Sequence, residues 1–593
     1  MKTKFLALLV LPSLMLTSCD GLFGVSSVVK DINVYDIDKL DEQGNLSSGL
    51  TNTIKARFIS GKELIPYLTL KQYASLYEKH FAEGVVSTVE NESFTSTWTI
   101  KKGEDYCFMA SISHITSQVY MAGSISAAFA DEDDPRDLEA LNYGLKSENK
   151  NYALTEDSYA TFTFSGYSLT NFSANKERYY PLGLLDITFS DSSTIYFTYN
   201  YNHILSTRDV ENYSTTTYLD NGNSYTFDTQ MEACSPGGEM PSYLAKYNAG
   251  LYLYMMDHFY GLKEYKGIKS TSKFLRSLSN PNIYNNLFIP QVEARTWAYS
   301  DALSVLDDNH TVLVSANKAW GDPYYQASRR YGEGCYNRSV IGSQIKTLRS
   351  DYYSNLRKTP EKDIIYSADG KTALFSFDSF KFGTSDQVFN EDKTIKDSAK
   401  DYDTFYQLID MFERVKAQGT VENVVLDIAH NGGGYVAIMT KLIGLVSKDN
   451  TSHLTFFDDT INVASVYSSK IDSNGDGKYD KEDCYGDDFN IYLLTSDYSF
   501  SCGNAFPAIA QAKNGVKVIG QKSGGGECAV SIHYLPNSEY VYHSSNLHIG
   551  IFDETTNIFT GFEGGAIPDI EISDINNFYS IEYLNTAIAN ANK

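Results

Sequence analysis

Positive charge is scarce in this sequence. Its 593 residues include 49 lysine and arginine residues against 74 aspartate and glutamate residues, which gives a formal net charge of −25. A protein that binds nucleic acid needs a basic surface to neutralise phosphates, so this acidic excess argues against that class. The same charge disfavours adsorption to anionic membranes and favours solubility.

Apolar runs long enough to cross a membrane are also missing after the first twenty residues. Those twenty residues form a targeting segment, in which a short positive start precedes an apolar run from Phe5 to about Leu16. The run ends in Leu-Thr-Ser-Cys, which resembles the lipobox of bacterial lipoproteins and implies a lipid on Cys19. A plain secretory signal with an incidental cysteine is the alternative. We therefore expect a protein of the cell envelope, outside the cytoplasm, that is attached to the membrane only by its lipid.

The cysteines do not show the spacing of a zinc motif. Seven are present, and neither CxxC nor a Cys/His pattern occurs. Once Cys19 is set aside, six remain that could pair after export, and the sequence does not choose among the pairings. No Gly-Lys-Ser/Thr follows the glycine run that begins at Gly432, so a nucleotide-binding loop is not expected. We expect no organic cofactor.

The first part of the chain, residues 20–240, is predicted to be β-rich. Residues 161–164, 185–189 and 194–199 alternate apolar and polar side chains, and Asn, Asp, Gly and Ser clusters separate them. No catalytic pattern occurs here. The default interpretation is a binding or spacer region.

The pattern then changes to that of helices. Apolar and tyrosine side chains recur at spacings of three and four from Tyr243 to Met255, and a second helical run covers about 290–307. We assign residues 241–361 to a helical region.

Residues 362–593 alternate strands and helices, which predicts a mainly parallel sheet covered by helices. A helix is expected from Tyr402 to Lys416, with Gly419 at its C-terminus. The fold class is therefore a multidomain α+β protein: a β-rich region, a helical region and an α/β domain. The strands are expected at residues 373–377, 424–428, 491–494 and 516–519.

An acidic loop lies inside this last region. Its spacing resembles an EF-hand or dockerin loop, with oxygen-bearing side chains at positions 1, 3, 5, 9 and 12 and a glycine at position 6. Its role would be structural, and an acidic solvated turn is the alternative. The expected Ca²⁺ ligands are Asp472, Asn474, Asp476, the backbone carbonyl of Lys478, Asp480 and Asp483.

Ser501 follows a predicted buried strand and opens a helix. Backbone N–H groups at a helix start can stabilise an oxyanion, although a serine there is commonly only an N-cap. The run Gly432-Gly433-Gly434 also lies between a buried strand and a helix, where its backbone could supply a second oxyanion donor.

Taken together, the motifs resemble the tail-specific, or C-terminal processing, serine peptidases. The resemblance covers about residues 241–590 and implies a ClpP/crotonase-like catalytic domain. The motifs that carry it are, in order, Asp308-Asn309-His310-Thr311, Asn431-Gly432-Gly433-Gly434, Ser501-Cys502-Gly503-Asn504, Val518-Ile519-Gly520, Ser523-Gly524-Gly525-Gly526 and Ile567-Pro568-Asp569.

The resemblance is to the tricorn-type branch of that family. The branch with a Ser–Lys dyad has a lysine where this chain has Gly526, and Lys522 is not in register. The match implies Ser501 as nucleophile and His310 as general base, with His430 as the rival histidine.

The same match implies Glu563 as the acid that supports the base, with Asp553 and Glu554 as rivals. The oxyanion hole would use the backbone of Cys502 and of Gly433 or Gly434. Because Cys502 and Cys528 both flank these turns, a disulfide between them is one hypothesis, and two unpaired cysteines are the other.

The expected activity is hydrolysis of a peptide or protein through an acyl-enzyme. Two alternatives stay open. One is an inactive relative that binds peptides or glycans at the cell surface, and the other is an esterase of another family.

Overall fold

The computed structural model describes most of the chain. Cys19 lies outside the described part, so the lipid-anchor prediction concerns residues that the structure does not describe. Among the described residues, no helix has the length and apolar character that a membrane crossing requires. The described ranges are 25–38, 50–129, 138–154, 159–190, 194–208, 217–220, 223–226, 239–313, 332–356, 363–535 and 539–591.

The N-terminal region is β-rich, as predicted. One five-stranded antiparallel sheet consists of Val85–Asn91, Thr95–Lys102, Asp105–Ser113, Gln118–Gly123 and Ala160–Thr163. A seven-stranded sheet has the order Phe172–Ala174, Glu177–Pro181, Tyr67–Leu68, Leu50–Ile59, Ser27–Asp36, Ile204–Thr207 and Tyr196–Tyr199. A separate hairpin pairs Thr217–Asp220 with Asn223–Thr226.

The expected strand at residues 185–189 is wrong. Leu182–Phe189 is an α-helix, and all eight of its residues are buried. A helix that is enclosed on every side needs no polar face, so its sequence lacks the 3.6-residue period of a surface helix. Pro181 fixes the extended residue before the first turn.

The helices predicted for the middle region are present. Ser242–Phe259 is largely buried, and Val292–Ser304 confirms the run expected at about 290–307. The helices of the described chain are Leu70–Tyr77, Leu138–Asn142, Leu182–Phe189, Ser242–Phe259, Thr271–Ser277, Asn282–Asn286, Val292–Ser304, Glu333–Leu356, Ser385–Val388, Ala399–Tyr402, Thr404–Gln418, Val436–Val446, Cys502–Asn514 and Ile581–Ala591.

The C-terminal region contains the predicted parallel sheet. Five of its six strands run parallel to one another, and the short first strand pairs antiparallel at one edge. Nearly every side chain of the inner strands is buried, because helices cover both faces. The strand order is Ile365–Tyr366, Thr372–Ser376, Asn423–Asp427, Asn490–Thr495, Lys517–Gly520 and Ile570–Glu571.

Local chemistry explains where the helix Thr404–Gln418 begins and ends. The Asp403 carboxylate accepts the N–H of Phe405 at 2.8 Å, which caps the first turn. Gly419 follows at φ 74°, a left-handed conformation that glycine adopts without strain. The apolar face of this helix packs on the sheet through Phe405, Leu408 and Phe412.

A second seven-stranded sheet joins the N-terminal region to the C-terminal region. Leu145–Ala153 pairs antiparallel with Val463–Ile471 over nine residues, so a strand from before residue 240 completes a sheet of the last region. The regions named from the sequence therefore interleave. The remaining strands of this sheet are Val312–Leu313, Ser452–Asp458, Cys528–Leu535, Glu539–Asp553 and Ile558–Gly561.

Candidate active site

Ser501 lies in a strained turn between the strand Asn490–Thr495 and the helix Cys502–Asn514. Its backbone has φ 58° and ψ −126°, a conformation that residues other than glycine rarely adopt. The turn is held because the Ser501 N–H donates to the Gly525 carbonyl at 3.0 Å. Such strain persists only where surrounding contacts enforce it, and it is common at functional sites.

The glycine run lies directly against this serine. A Cβ on Gly433 would come within 2.7 Å of the Ser501 Cβ and 3.0 Å of its Oγ, so only glycine fits there. The Gly433 N–H already donates to Asn431 Oδ1 at 2.9 Å. Among the described residues, the N–H groups of Gly434 and Cys502 have no protein acceptor. Of the three predicted oxyanion donors, these two are the ones with a free N–H.

His310 is held by a buried aspartate. Asp308 Oδ1 accepts the His310 backbone N–H at 3.0 Å, and Oδ2 accepts the hydroxyls of Thr311 at 2.6 Å and Ser544 at 2.8 Å. The strand Val312–Leu313 then pairs with Tyr542 and Val541, which fixes the segment at the edge of the second sheet.

The imidazole of His310 packs against Phe500, the residue before Ser501. The ring centroids are 4.7 Å apart, and the planes meet at 62°. The structure therefore brings the predicted base to the nucleophile turn. Within the described chain, His310 Nδ1 is buried without a hydrogen-bond partner, and no hydrogen bond joins the ring to Ser501 or Glu563.

Arg338 covers the same phenyl ring and was not predicted from the sequence. Its guanidinium lies 5.0 Å from the Phe500 centroid, and its Nε donates to the Asp497 carbonyl at 3.0 Å. Burial lowers the pKa of His310, the Asp308 carboxylate raises it, and Arg338 lowers it again, with a net decrease. A neutral imidazole at neutral pH is the form that can accept a proton.

Glu563 lies under the turn that follows the nucleophile. Its Oε2 accepts the N–H groups of Gly526 and Glu527, each at 3.0 Å. Burial raises the pKa of Glu563 to about 7, and the nearby carboxylates of Asp308 and Glu527 also raise it, while the two backbone hydrogen bonds oppose the increase. The predicted acid is thus at the site, although it contacts the turn rather than the imidazole.

The rival residues have other partners. Asp553 is exposed and accepts the Thr555 N–H at 2.8 Å, and Glu554 bonds the Tyr152 hydroxyl. His430 stacks on Tyr498 with the ring planes 9° apart. These contacts give each rival a structural role, whereas His310 and Glu563 both reach the turns around Ser501.

A family model matches part of the sequence. The model of peptidase family S41 matches residues 387–572. Residues 387–572 form a peptidase family S41 domain. This domain contains the glycine run, Ser501 and Glu563, while His310 precedes it. The match supports a serine peptidase type of function.

The chain is also similar to several solved structures. A candidate peptidase from Parabacteroides merdae is 17% identical with a TM-score of 0.37, and the alignment covers 57% of this chain and 93% of that chain. The photosystem II D1 C-terminal processing protease is 14% identical with a TM-score of 0.26, over 37% of this chain and 47% of that chain. Mature CPAF in complex with lactacystin is 10% identical with a TM-score of 0.33, over 59% of this chain and 97% of that chain. No curated protein matches the sequence.

Of the two hypotheses for Cys502 and Cys528, the disulfide is wrong. Cys502 and Cys528 are both unpaired. The Cys502 thiol donates to the Gly434 carbonyl at 3.1 Å, while the Cys528 sulfur lies 3.6 Å from His548 Nδ1. The two thiols therefore have different neighbours, although the turns that carry them are close.

The acidic loop of the S41 domain turns at the glycine in position 6. Asp472 Oδ2 accepts the N–H of Gly477 at 2.9 Å, and Gly477 has φ 79°, so the glycine at position 6 makes the sharp turn. Asp483 is buried, and its Oδ1 accepts the Ser473 N–H at 2.8 Å. A strand precedes the loop and a short 3₁₀ turn, Lys481–Asp483, ends it, which agrees with an isolated loop.

The other predicted calcium ligands lie nearer the surface. Asn474 Oδ1 accepts the Asp476 N–H at 2.9 Å, and Asp480 Oδ1 accepts the Glu482 N–H at 2.9 Å. The ammonium of Lys478 pairs with Asp476 Oδ2 at 2.6 Å. An oxygen-only donor set of this kind suits Ca²⁺, provided that Lys478 releases Asp476.

Proposed function

We propose that the chain is a lipid-anchored serine peptidase that cleaves peptide bonds with Ser501 as the nucleophile and His310 as the general base. The observation that carries the proposal is the strained Ser501 turn, which Gly433 contacts on one side and the Phe500–His310 ring pair on the other. In this mechanism the Ser501 oxygen attacks the carbonyl carbon as its proton passes to His310. His310 then gives that proton to the leaving amine, and water releases the acyl group.

The oxyanion formed in this attack would be bound by the N–H groups of Cys502 and Gly434. Both are without a protein acceptor, and Cys502 is the first residue of a helix, where the helix dipole favours negative charge. One such donor is typically worth about 3–4 kcal/mol in the transition state. The Gly433 amide is already used, so we assign Gly433 the role of leaving space for Ser501.

We assign the imidazolium two acidic neighbours. The Asp308 carboxylate raises the pKa of His310 and accepts the His310 backbone N–H. Glu563 lies across the turn and uses only Oε2 to accept the Gly526 and Glu527 amides, so Oε1 would be the oxygen that orients the ring. Comparison of Glu563→Gln with Asp308→Asn in the assay below separates the two roles.

A fluorophosphonate probe tests the proposal on the full chain. We expect covalent labelling that disappears in Ser501→Ala and falls steeply in His310→Gln. The matched control is Ser343→Ala, because Ser343 is an exposed helix residue whose hydroxyl donates to the Ser339 carbonyl. Labelling that survives in Ser501→Ala would assign the nucleophile elsewhere.

A set of peptide and ester substrates then separates the remaining classes. Turnover of peptides that depends on Ser501 supports the peptidase, and turnover of esters alone supports an esterase. Neither turnover nor labelling in a folded protein would make the chain a binding relative without activity.

We also propose that Cys19 carries the lipid that holds the protein at the cell envelope. The lipobox-like ending of the targeting segment supports this. Detergent phase partition of cell extracts should place the protein in the detergent phase and Cys19→Ala in the aqueous phase. Equal partition of the two proteins would contradict the anchor.

Finally, we propose that the acidic loop holds a structural Ca²⁺. The turn at Gly477 and the inward Asp472 and Asp483 support this role. The ion would stabilise the loop that joins the strands Val463–Ile471 and Asn490–Thr495.

A further inference from the structure

Three buried side chains converge behind the nucleophile turn. Glu527 Oε1 lies 2.8 Å from His548 Nδ1, and Cys528 Sγ lies 3.6 Å from the same nitrogen. One ligand atom from each of the three residues lies within 4.8 Å of the other two. Within the described ranges, no other group of three His, Cys, Asp or Glu side chains is this compact. We propose that Glu527, Cys528 and His548 bind one divalent cation of the zinc type.

The backbone explains why the three groups meet. Cys528 and His548 are direct partners in the antiparallel pairing of Cys528–Leu535 with Glu539–Asp553, so their side chains lie on one face of the sheet. Glu527 precedes the strand, and its carbonyl accepts the Ile549 N–H at 2.9 Å. The glutamate and the histidine are therefore fixed from adjacent backbone positions.

The position of the Glu527 carboxylate is also fixed by the neighbouring backbone at Gly561 and Glu563. A Cβ on Gly561 would lie 2.1 Å from Glu527 Oε2, so the absence of a side chain there leaves room for the carboxylate. Oε2 accepts the Glu563 N–H at 2.7 Å, which leaves Oε1 directed at His548. One oxygen is thus committed to the protein and the other is available to an ion.

A second carboxylate lies on the far side of the imidazole. Asp459 Oδ2 is 3.4 Å from His548 Nε2. Metal-binding histidines commonly donate their second ring N–H to a carboxylate, which fixes the ring and increases the basicity of the ligating nitrogen. With Asp459 at Nε2, Nδ1 is the nitrogen left for the cation.

The donor set and its spacing favour zinc over harder ions. A thiolate and an imidazole are ligands for Zn²⁺ or its neighbours, whereas Ca²⁺ and Mg²⁺ take oxygen. Tetrahedral Zn²⁺ with bonds of about 2.3 Å to sulfur and about 2.0 Å to nitrogen places those two atoms roughly 3.5 Å apart, within about 0.1 Å of the separation observed here. This matches the Cys528–His548 separation of 3.6 Å. The Glu527–His548 contact of 2.8 Å is a hydrogen bond, which has to open by about 0.5 Å.

Binding of the divalent cation releases protons from its ligands. Without the metal, the two ring nitrogens of His548 form hydrogen bonds with the carboxylates of Glu527 and Asp459. When the cation binds, it displaces the proton between His548 and Glu527 and also the proton of the Cys528 thiol. Three protein ligands leave a fourth position for water. The ion would stiffen the turn whose Gly525 carbonyl accepts the Ser501 N–H. Binding of the cation at these three residues does not depend on whether Ser501 is catalytic.

Cobalt titration of the chelator-treated full chain tests the site without any assay of activity. Excess Ca²⁺ keeps the acidic loop saturated. We expect one equivalent of Co²⁺ to bind with a thiolate-to-cobalt absorption band and with the visible bands of tetrahedral cobalt, and Zn²⁺ to displace it. The charge-transfer band should be lost in Cys528→Ser, and binding should weaken at least tenfold in His548→Gln.

Cys107→Ser is the matched control, because Cys107 lies in the N-terminal sheet and should leave the spectrum unchanged. X-ray absorption of the zinc-loaded wild-type chain needs no variant and should show one sulfur neighbour. Absence of stoichiometric binding, absence of a sulfur neighbour, or a band that persists in folded Cys528→Ser would each overturn the proposal.

Discussion

The imidazole of His310 packs edge-on against the phenyl ring of Phe500, the residue immediately before Ser501, with the ring centroids 4.7 Å apart. Arg338 covers the same phenyl ring at 5.0 Å. Phe500 thus contacts two residues that come from separate parts of the chain, His310 and Arg338. It sets where the proposed base lies relative to the proposed nucleophile.

Shortening Phe500 should therefore reduce catalysis more than stability. Phe500→Leu keeps a buried apolar side chain and should cost only about 1 kcal/mol of unfolding free energy. It should lower the rate of fluorophosphonate labelling by roughly 10–100-fold, because a displaced base is a poor proton acceptor. Phe412→Leu is the control: that ring stacks on Tyr485 away from the site and should leave the labelling rate unchanged. Equal rates for the two variants would show that the ring contact does not position His310.

Gly433 should tolerate no side chain. Gly433→Ala places a methyl group 2.7 Å from the Ser501 Cβ at a residue with φ 114°, so either the glycine run or the serine must move. We expect the labelling rate to fall by about 100-fold or more. At Gly432 the nearest atom to an added Cβ is 3.9 Å away, so Gly432→Ala should retain most of the activity. Comparable losses in both variants would mean that the loop needs flexibility rather than space.

The sequence predicts secondary structure well where a strand is formed by a continuous run of apolar residues. Val424 to Leu426 and Ile491 to Leu494 are apolar runs, and both lie in strands covered on two faces. Leu182–Phe189 was misassigned because a fully enclosed helix shows no polar face, so short-range periodicity cannot distinguish it from a strand.

Features of the site that depend on distant contacts were harder to predict. Arg338 reaches Phe500, and Asp308 meets Ser544 across 236 positions; neither pair has a local signal. Ser501 and His310 were found through motif order, and their geometry required the fold. The cluster at Cys528 and His548 depends on strand register, which a slip of one residue would destroy.

The labelling rate should begin to fall on the acidic side at a pH below the ordinary pKa of histidine. Burial and Arg338 lower the pKa of His310 from 6.5 despite Asp308, so the base stays neutral at lower pH than an exposed histidine. Arg338→Gln removes a positive charge that opposes protonation and should therefore move the limb to higher pH. Arg338→Lys keeps the charge and should leave the limb in place, even if weaker stacking on Phe500 lowers the maximum rate. The pH dependence of the labelling rate measures this, and identical limbs in all three proteins would show that Arg338 does not influence the pKa of the titrating base.

Calcium should raise the melting temperature of the protein through the acidic loop. A ligand at 100 times its dissociation constant adds about 2.7 kcal/mol to a two-state folded unit, which corresponds to a shift of several degrees. EDTA should reverse the shift, and Asp472→Asn should abolish it. Lys478→Ala should retain it, because that residue supplies only its carbonyl, and loss of its ammonium frees Asp476. A melting temperature that does not respond to Ca²⁺ in the wild-type chain would contradict the calcium proposal.

Lys441 should destabilise the folded protein at neutral pH. Its side chain is fully buried in the helix Val436–Val446, its Nζ has no hydrogen-bond partner among the described residues, and it lies 5.4 Å from the Phe405 ring. Burial lowers the pKa of Lys441 from 10.5 to about 8, although Asp403 opposes this. Below pH 8 the folded chain holds a buried charge, so Lys441→Met should increase the unfolding free energy by about 2–3 kcal/mol at pH 7.

The advantage of Lys441→Met should shrink as the pH rises. Between pH 8 and 10.5 the unfolded wild-type chain still binds the proton that the folded chain has released, so wild-type stability increases with pH and approaches that of the variant. Lys448→Met, at an exposed position of the following turn, should change stability by less than about 0.5 kcal/mol at any pH. Denaturant unfolding at pH 7 and at pH 10 measures both effects. A Lys441→Met variant that is less stable than wild type at pH 7 would show that the ammonium has a stabilising role in the folded protein.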